Sequence, residues 1–260
     1  MLAPNELRRD MIRMIAKSNG FHIAPNLSVI EILYTLYFRV MNVDPAHPAA
    51  PDRDRLFVSK GHCAASTYVV AALRGFFNPA LLATYNTEGS AFPPIVDTNS
   101  AIRSEMSSGS IGRGISVGIG AALVAKRESR PFRTFVLIGD GECQEGSVWE
   151  AVMLAPALAL DNLVVIVDAN RLQGSSTIDE IMDMSNLTER FAVFGWTAID
   201  VDGHDVDALE KALQQPAPGP KAVIAHTVKG KGVSMMENEV GWHYRSLTMP
   251  ELVRTLRGLR

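Results

Sequence analysis

Short apolar runs at 135–138, 163–167, 198–201 and 222–225 are each followed by glycine, aspartate or other polar residues, and helical patterns separate several of them. Runs that are apolar at nearly every residue, not at every second one, belong to strands covered on both faces. Parallel strands of that kind need helical crossovers, so the pattern predicts an α/β fold: a doubly wound parallel sheet with helices on both faces. Apolar residues at helical spacing predict helices over 6–17 and over 28–38, with Ser28 capping the second. Further helices are expected over 205–214, opened by Asp205, and over 249–259. A turn-rich connection at 216–220 leads into the last strand, and 229–244 has few apolar residues at either period. That segment reads as a long loop, and long loops in compact domains usually carry function.

The 260 residues are 47% apolar and contain no internal repeat or low-complexity linker, so a single domain over 1–260 is expected. A formal charge of −3 with no Lys/Arg run leaves no electrostatic footprint for nucleic acid or an anionic membrane. No apolar stretch approaches the roughly 18 residues of a spanning helix. Residues 1–13 carry Glu6 and Asp10 where a secretory leader would be apolar, which predicts a cytoplasmic chain. Cys63 and Cys143 are too few for a disulfide framework and read as incidental thiols. Small molecules and other proteins remain as partners.

In an open parallel sheet, ligands gather at the carboxyl ends of strands. Gly139-Asp140-Gly141 follows the first run and Asp168-Ala169-Asn170-Arg171-Leu172 ends the second. The glycines permit a tight turn and close approach to a phosphate, while Asp140 and Asn170 offer hard oxygens at neighbouring strand ends. Magnesium takes six oxygens and commonly bridges a few protein ligands to substrate phosphates, with Ca²⁺ or Mn²⁺ as alternatives. Asp140, the Asn170 amide and a backbone carbonyl near Leu172 would supply three, and a diphosphate with one water the rest. A crossover helix over 145–158 should begin beside Gly141 and favour an anion there.

The run Gly139-Asp140-Gly141-Glu142-Cys143-Gln144-Glu145-Gly146, continuing through Asp161-Asn162-Leu163 to Asn170-Arg171-Leu172-Gln173, resembles the thiamine diphosphate motif of transketolases, in particular the N-terminal chain of the two-subunit bacterial type. Ser59-Lys60-Gly61-His62, Gly109-Ser110-Ile111-Gly112-Arg113-Gly114, Lys229-Gly230-Lys231-Gly232-Val233-Ser234 and Gly241-Trp242-His243 resemble further elements of that family, in family order. The resemblance implies that Asp140, Asn170 and the Leu172 carbonyl hold magnesium, and that Gly139, Gly141, His62 and His243 face the diphosphate. It places Gly109 and Ile111 by the cofactor rings, and His22 and His62 against the sugar. Glu145 would share a proton network with the partner, and His22, His62, Glu145 and His243 form the expected catalytic set. Lys229 and Arg245 are further candidates for the pocket. His204, in Asp202-Gly203-His204-Asp205, reads as ordering a turn, and His47 and His226 as structural or solvated.

The implied activity is transfer of a two-carbon ketol unit from a ketose to an aldose. Nothing corresponding to the family's pyrimidine-binding half follows Arg260, so a separate pyrimidine-binding chain is expected as partner, in an α2β2 heterotetramer. Two alternatives stay open: another thiamine diphosphate chemistry on 2-oxo acids, and a non-catalytic cofactor-binding subunit. One departure stands out. The family carries a substrate-contacting Gly-His-Pro before its glycine-rich turn, whereas this chain has Gly89-Ser90-Ala91-Phe92-Pro93-Pro94. Phe92 or a neighbour is expected to form that wall, making ordinary ketoses poor donors.

Overall fold

A computed structural model describes residues 4–102 and 104–259. Five parallel strands make one sheet: β1 (Arg55–Val58), β2 (Thr134–Gly139), β3 (Leu163–Ala169), β4 (Thr197–Asp202) and β5 (Lys221–His226), in the order β1-β2-β3-β5-β4. Side chains alternate across a strand, and this splits the core in two. Phe135, Leu137, Val164 and Ile166 point to one face; Val136, Ile138, Val165 and Val167 point to the other.

The first face is covered by α1 (Pro4–Lys17), α2 (Ile23–Leu27), α3 (Ile30–Thr35), α4 (Ala64–Arg74) and, later in the chain, α9 (Val206–Gln214). The second is covered by α5 (Gly114–Arg127), α6 (Gly146–Ala157) and α8 (Leu187–Val193), with the single turn α7 (Ile178–Ile181) nearby. The last helix, α10 (Met249–Gly258), returns to α1. The doubly wound architecture is thus the observed one, and among the described residues no helix is long and apolar enough to cross a membrane.

Several local expectations are corrected. The helix expected over 28–38 is broken: α2 ends before Ser28, α3 starts after Val29, and a wider turn at Leu36–Val40 follows. Ser28 does not N-cap α3, whose N-cap is Val29; its hydroxyl donates instead to Pro25 O at 2.9 Å and Asp168 Oδ2 at 2.7 Å. β1 matches no expected element, since four residues show too little periodicity to register. β4 is not buried on both faces; at the sheet edge most of its residues stay part-exposed. Finally, α6 begins at Gly146 with Glu145 as its N-cap, and the short turn Gly141–Gln144 stands between it and β2.

Candidate active site

The carboxyl ends of β1, β2, β3 and β5 open into one cavity of about 320 Å³. Its walls include His22, Lys60, His62, Gly109, Ile111, Gly139, Asp140, Gly141, Asn170, Leu172, Lys229 and His243, residues spread over two hundred positions of chain. Every residue expected to hold cofactor or metal is therefore on this wall, and of the expected catalytic set only Glu145 is not. Glu145 is exposed at the start of α6, against the Gly112 turn.

Asp140 ends β2 with both oxygens engaged: Gly141 N–H donates to Oδ1 at 2.8 Å and Arg171 N–H to Oδ2 at 2.5 Å. Arg171 reaches that position only by taking φ +63°. Even with those donors, burial and then the neighbouring Asp168 carboxylate push Asp140 up to about 7. Asn170 donates its amide NH₂ to Asp168 at 3.0 Å, which leaves its oxygen to accept from Leu172 N–H and to face the cavity wall it lines.

Asp168, fully buried, organises this floor. Lys60 forms an ion pair with it, and Ser28 and Thr227 hydroxyls donate to it. Burial opposes its ionisation, but the Lys60 charge and these hydrogen bonds outweigh burial and hold Asp168 below the usual carboxylate range. Asp168 and Lys60 stand within the sequence motifs, but nothing local assigned them a role. A charged residue closing an otherwise apolar interior strand was the available signal.

Glu142 was missed as well. Its carboxylate accepts from the Ser59 hydroxyl, from Gly112 N–H at 2.7 Å and from Gly139 N–H at 3.4 Å, so one side chain latches three motifs together. Burial raises its pKa. Gly61 must be glycine here, since a Cβ would stand 2.4 Å from Ser108 Cβ.

Above the floor, His22, His62 and His243 form a triangle with ring centroids 5.2–5.3 Å apart. Burial, then Lys60 and Lys229, lower His22 to about 4. Burial, then Lys229 and His22, lower His243 to about 3, and burial with Lys60 takes His62 well below its ordinary value. All three are neutral near pH 7. Lys229 lies beneath them, donating to Gln173 O at 2.7 Å and within 3.1 Å of His243 Nδ1, with burial and then Lys60 lowering it to about 8. Tyr244 lines the cavity, and both it and Phe21 make ring contacts to His22. Arg245 is not on the wall; it stacks on Trp242 and pairs with Glu251.

Of Phe92 and its neighbours, Phe92 itself is not on the cavity wall. It is buried in the core against Tyr68 and Phe77, and Ile95 lines the cavity instead.

The family model described as "Transketolase, thiamine diphosphate binding domain" matches residues 2–259. The chain belongs to the transketolase family. It is 37% identical to SqwG, the 6-deoxy-6-sulfo-D-fructose transketolase subunit of Clostridium sp. (strain MSTE9), over 94% of this chain and 90% of that one. It is 35% identical to an apulose-4-phosphate transketolase subunit of Phocaeicola vulgatus, over 96% and 90%. The crystal structure of Campylobacter jejuni transketolase superposes with a TM-score of 0.90 at 27% identity, covering 98% of this chain but 41% of that one. This chain is the thiamine diphosphate-binding portion of a transketolase-family transferase.

Proposed function

We propose that this chain holds thiamine diphosphate through a magnesium ion and, with a separate pyrimidine-binding chain, transfers a two-carbon ketol unit from a ketose to an aldose in the cytoplasm. The single observation that carries the reading is the meeting of Asp140, a buried carboxylate, with Asn170 and Leu172 on one cavity wall where two adjacent strands end. A divalent cation there would offset the burial cost and draw the group back to its ionised form. Among the described residues no three His, Cys, Asp or Glu side chains cluster for a metal. The donor set is instead one carboxylate, the Asn170 amide and the Leu172 carbonyl, which suits an ion that keeps water and substrate phosphate as its other ligands.

The cofactor supplies the carbanion chemistry; the chain binds and orients. Gly139 and Gly141 allow the backbone to approach the diphosphate, and Lys229 and His243 face it. Gly109 and Ile111 support the rings. Neutral His22 and His62 can donate to or accept from sugar hydroxyls and so move protons between them. We place Glu145 at the partner interface, where its exposure in the single chain leaves it free to meet the other polypeptide. Exposed Val117 and Val124 on α5 and Met153 and Leu154 on α6 support a broad partner surface, read as that of an α2β2 assembly.

The donor we propose is a modified ketose. Ile95 offers a substrate hydroxyl no hydrogen bond, and two relatives are named for a sulfonated fructose and for apulose 4-phosphate. Asp140→Ala tests the core of the reading. Calorimetry on the assembled complex should show magnesium-dependent cofactor binding abolished while circular dichroism stays unchanged, and retained binding would exclude the site.

A further inference from the structure

The loop that carries Lys229 into the cavity is anchored from outside it by a buried charged network. Arg8 on α1 pairs with Glu31 on α3 at 2.7 Å, and both are almost fully buried. Arg8 Nε also donates to Lys231 O at 3.0 Å. His204, in the turn after β4, sits 3.0 Å from Glu31 Oε2 through Nδ1 and accepts the Val228 backbone N–H on Nε2 at 2.8 Å.

These contacts fix the imidazole's chemistry. A backbone N–H only donates, so Nε2 must present its lone pair and the ring proton must lie on Nδ1, donated to Glu31. Burial opposes the charge on Glu31, but the His204 hydrogen bond and the Arg8 charge outweigh it and hold the carboxyl below its ordinary range. The network thus grips the turn on both sides of Lys229, through Val228 N–H before it and Lys231 O after it. Gly230 N–H completes the grip by donating to Ala24 O at 3.0 Å, two residues from His22.

We infer that Arg8, Glu31 and His204 are positioning residues, which act through Lys229 to set the diphosphate end of the cavity. None of the three lines the cavity. Lys229 has a long, flexible side chain that loses considerable entropy when held, and its aim at Gln173 O and His243 depends on where its backbone stands. The inference rests on the reading that Lys229 faces the diphosphate.

His204→Asn separates the contributions. Its short amide can still meet Glu31, so the buried charge keeps a partner, but it cannot reach Val228. In the cofactor-free full chain, hydrogen exchange at the Val228 amide should quicken at least tenfold. In the reconstituted complex, the thiamine diphosphate dissociation constant should rise about tenfold, with kcat at saturating cofactor within twofold of wild type. His204→Gln, long enough to accept from Val228 and donate to Glu31, should recover most of both. Unchanged exchange in His204→Asn overturns the grip on the turn, and faster exchange with unchanged cofactor affinity overturns the positioning role. Lys229→Met is the separate control. If it leaves cofactor affinity unaltered, the diphosphate reading of Lys229 fails, while the exchange data still report whether His204 holds the turn.

Discussion

Burial and the Asp168 carboxylate push Asp140 up to about 7 from its ordinary 3.8. In the metal-free chain the folded state therefore keeps a proton that the unfolded state has already lost, and the sign follows from linkage. The contribution to stability is full below 3.8 and is lost as pH rises through about 7. Asp140→Asn has no proton to lose, but its NH₂ cannot accept the second backbone N–H, so without magnesium it should melt below wild type near pH 4 and gain about 5 °C on it by pH 8. His22 and His243, lowered to about 4 and about 3, act in the opposite sense, taking up protons on unfolding below 6.5. They do so in both chains, so the difference between the two melting profiles in EDTA isolates Asp140. A difference between the two melting temperatures that stays the same from pH 4 to pH 8 would refute the buried-charge argument. Ile95 makes a second prediction. If a donor hydroxyl buried there goes unpaired, the cost is about 1–3 kcal/mol, or one to two powers of ten in kcat/KM. Xylulose 5-phosphate and fructose 6-phosphate should be poor donors by steady-state kinetics of the complex, and efficient turnover of either would remove the idea.

Helix α5 shows how packing distance is encoded. Gly114 and Gly118 lie one turn apart on the face toward the sheet, where a Cβ at 118 would stand 2.6 Å from Val136 Cγ2 and one at 114 would stand 2.3 Å from Ser59 Cβ. Gly118→Val should force the helix outward at a cost of about 1–3 kcal/mol, read as a melting temperature lower by several degrees. Because Gly114 N–H also bonds the Ser59 hydroxyl at 3.2 Å, the displaced helix should carry the Gly109–Gly112 turn with it and weaken cofactor binding. Gly120, on the same helix but facing open space, provides the contrast. Gly120→Ala should stabilise the isolated chain by up to about 1 kcal/mol through helix propensity alone, and equal effects at 118 and 120 would exclude the packing argument.

The proposed assembly would use the outer faces of α5 and α6. Both α5 and α6 are apolar on their outer as well as their inner sides, a pattern expected of helices covered by another body. Purified alone, the chain should show no ketol transfer, and activity should appear when the pyrimidine-binding chain is added. Leu154→Glu should weaken that association, seen by light scattering, while leaving the melting temperature of the isolated chain within about 1 °C, since exposed positions tolerate charge. Turnover by the chain alone, or assembly indifferent to Leu154→Glu, would count against this surface.

Much of this molecule was written locally. Four of its five strands, its parallel class and the Gly139–Gly141 and Asn170–Leu172 segments that line the cavity follow from short-range pattern, because short apolar runs mark the strands and ligand cavities of parallel sheets open at strand ends. The interrupted helix at Ser28 was not legible. Its hydroxyl is claimed by Asp168, a residue 140 positions away, and no local propensity records such a bond. The same holds for Glu142 joining three glycine-bearing segments, for Ile95 replacing Phe92 on the cavity wall, and for Arg8, Glu31 and His204 meeting around the Lys229 turn. Sequence determined which residue types stand at each strand end, since those answer to neighbours along the chain. Only tertiary structure decided which buried charge meets which donor, because burial leaves a polar group unpaired unless the fold itself brings it a partner.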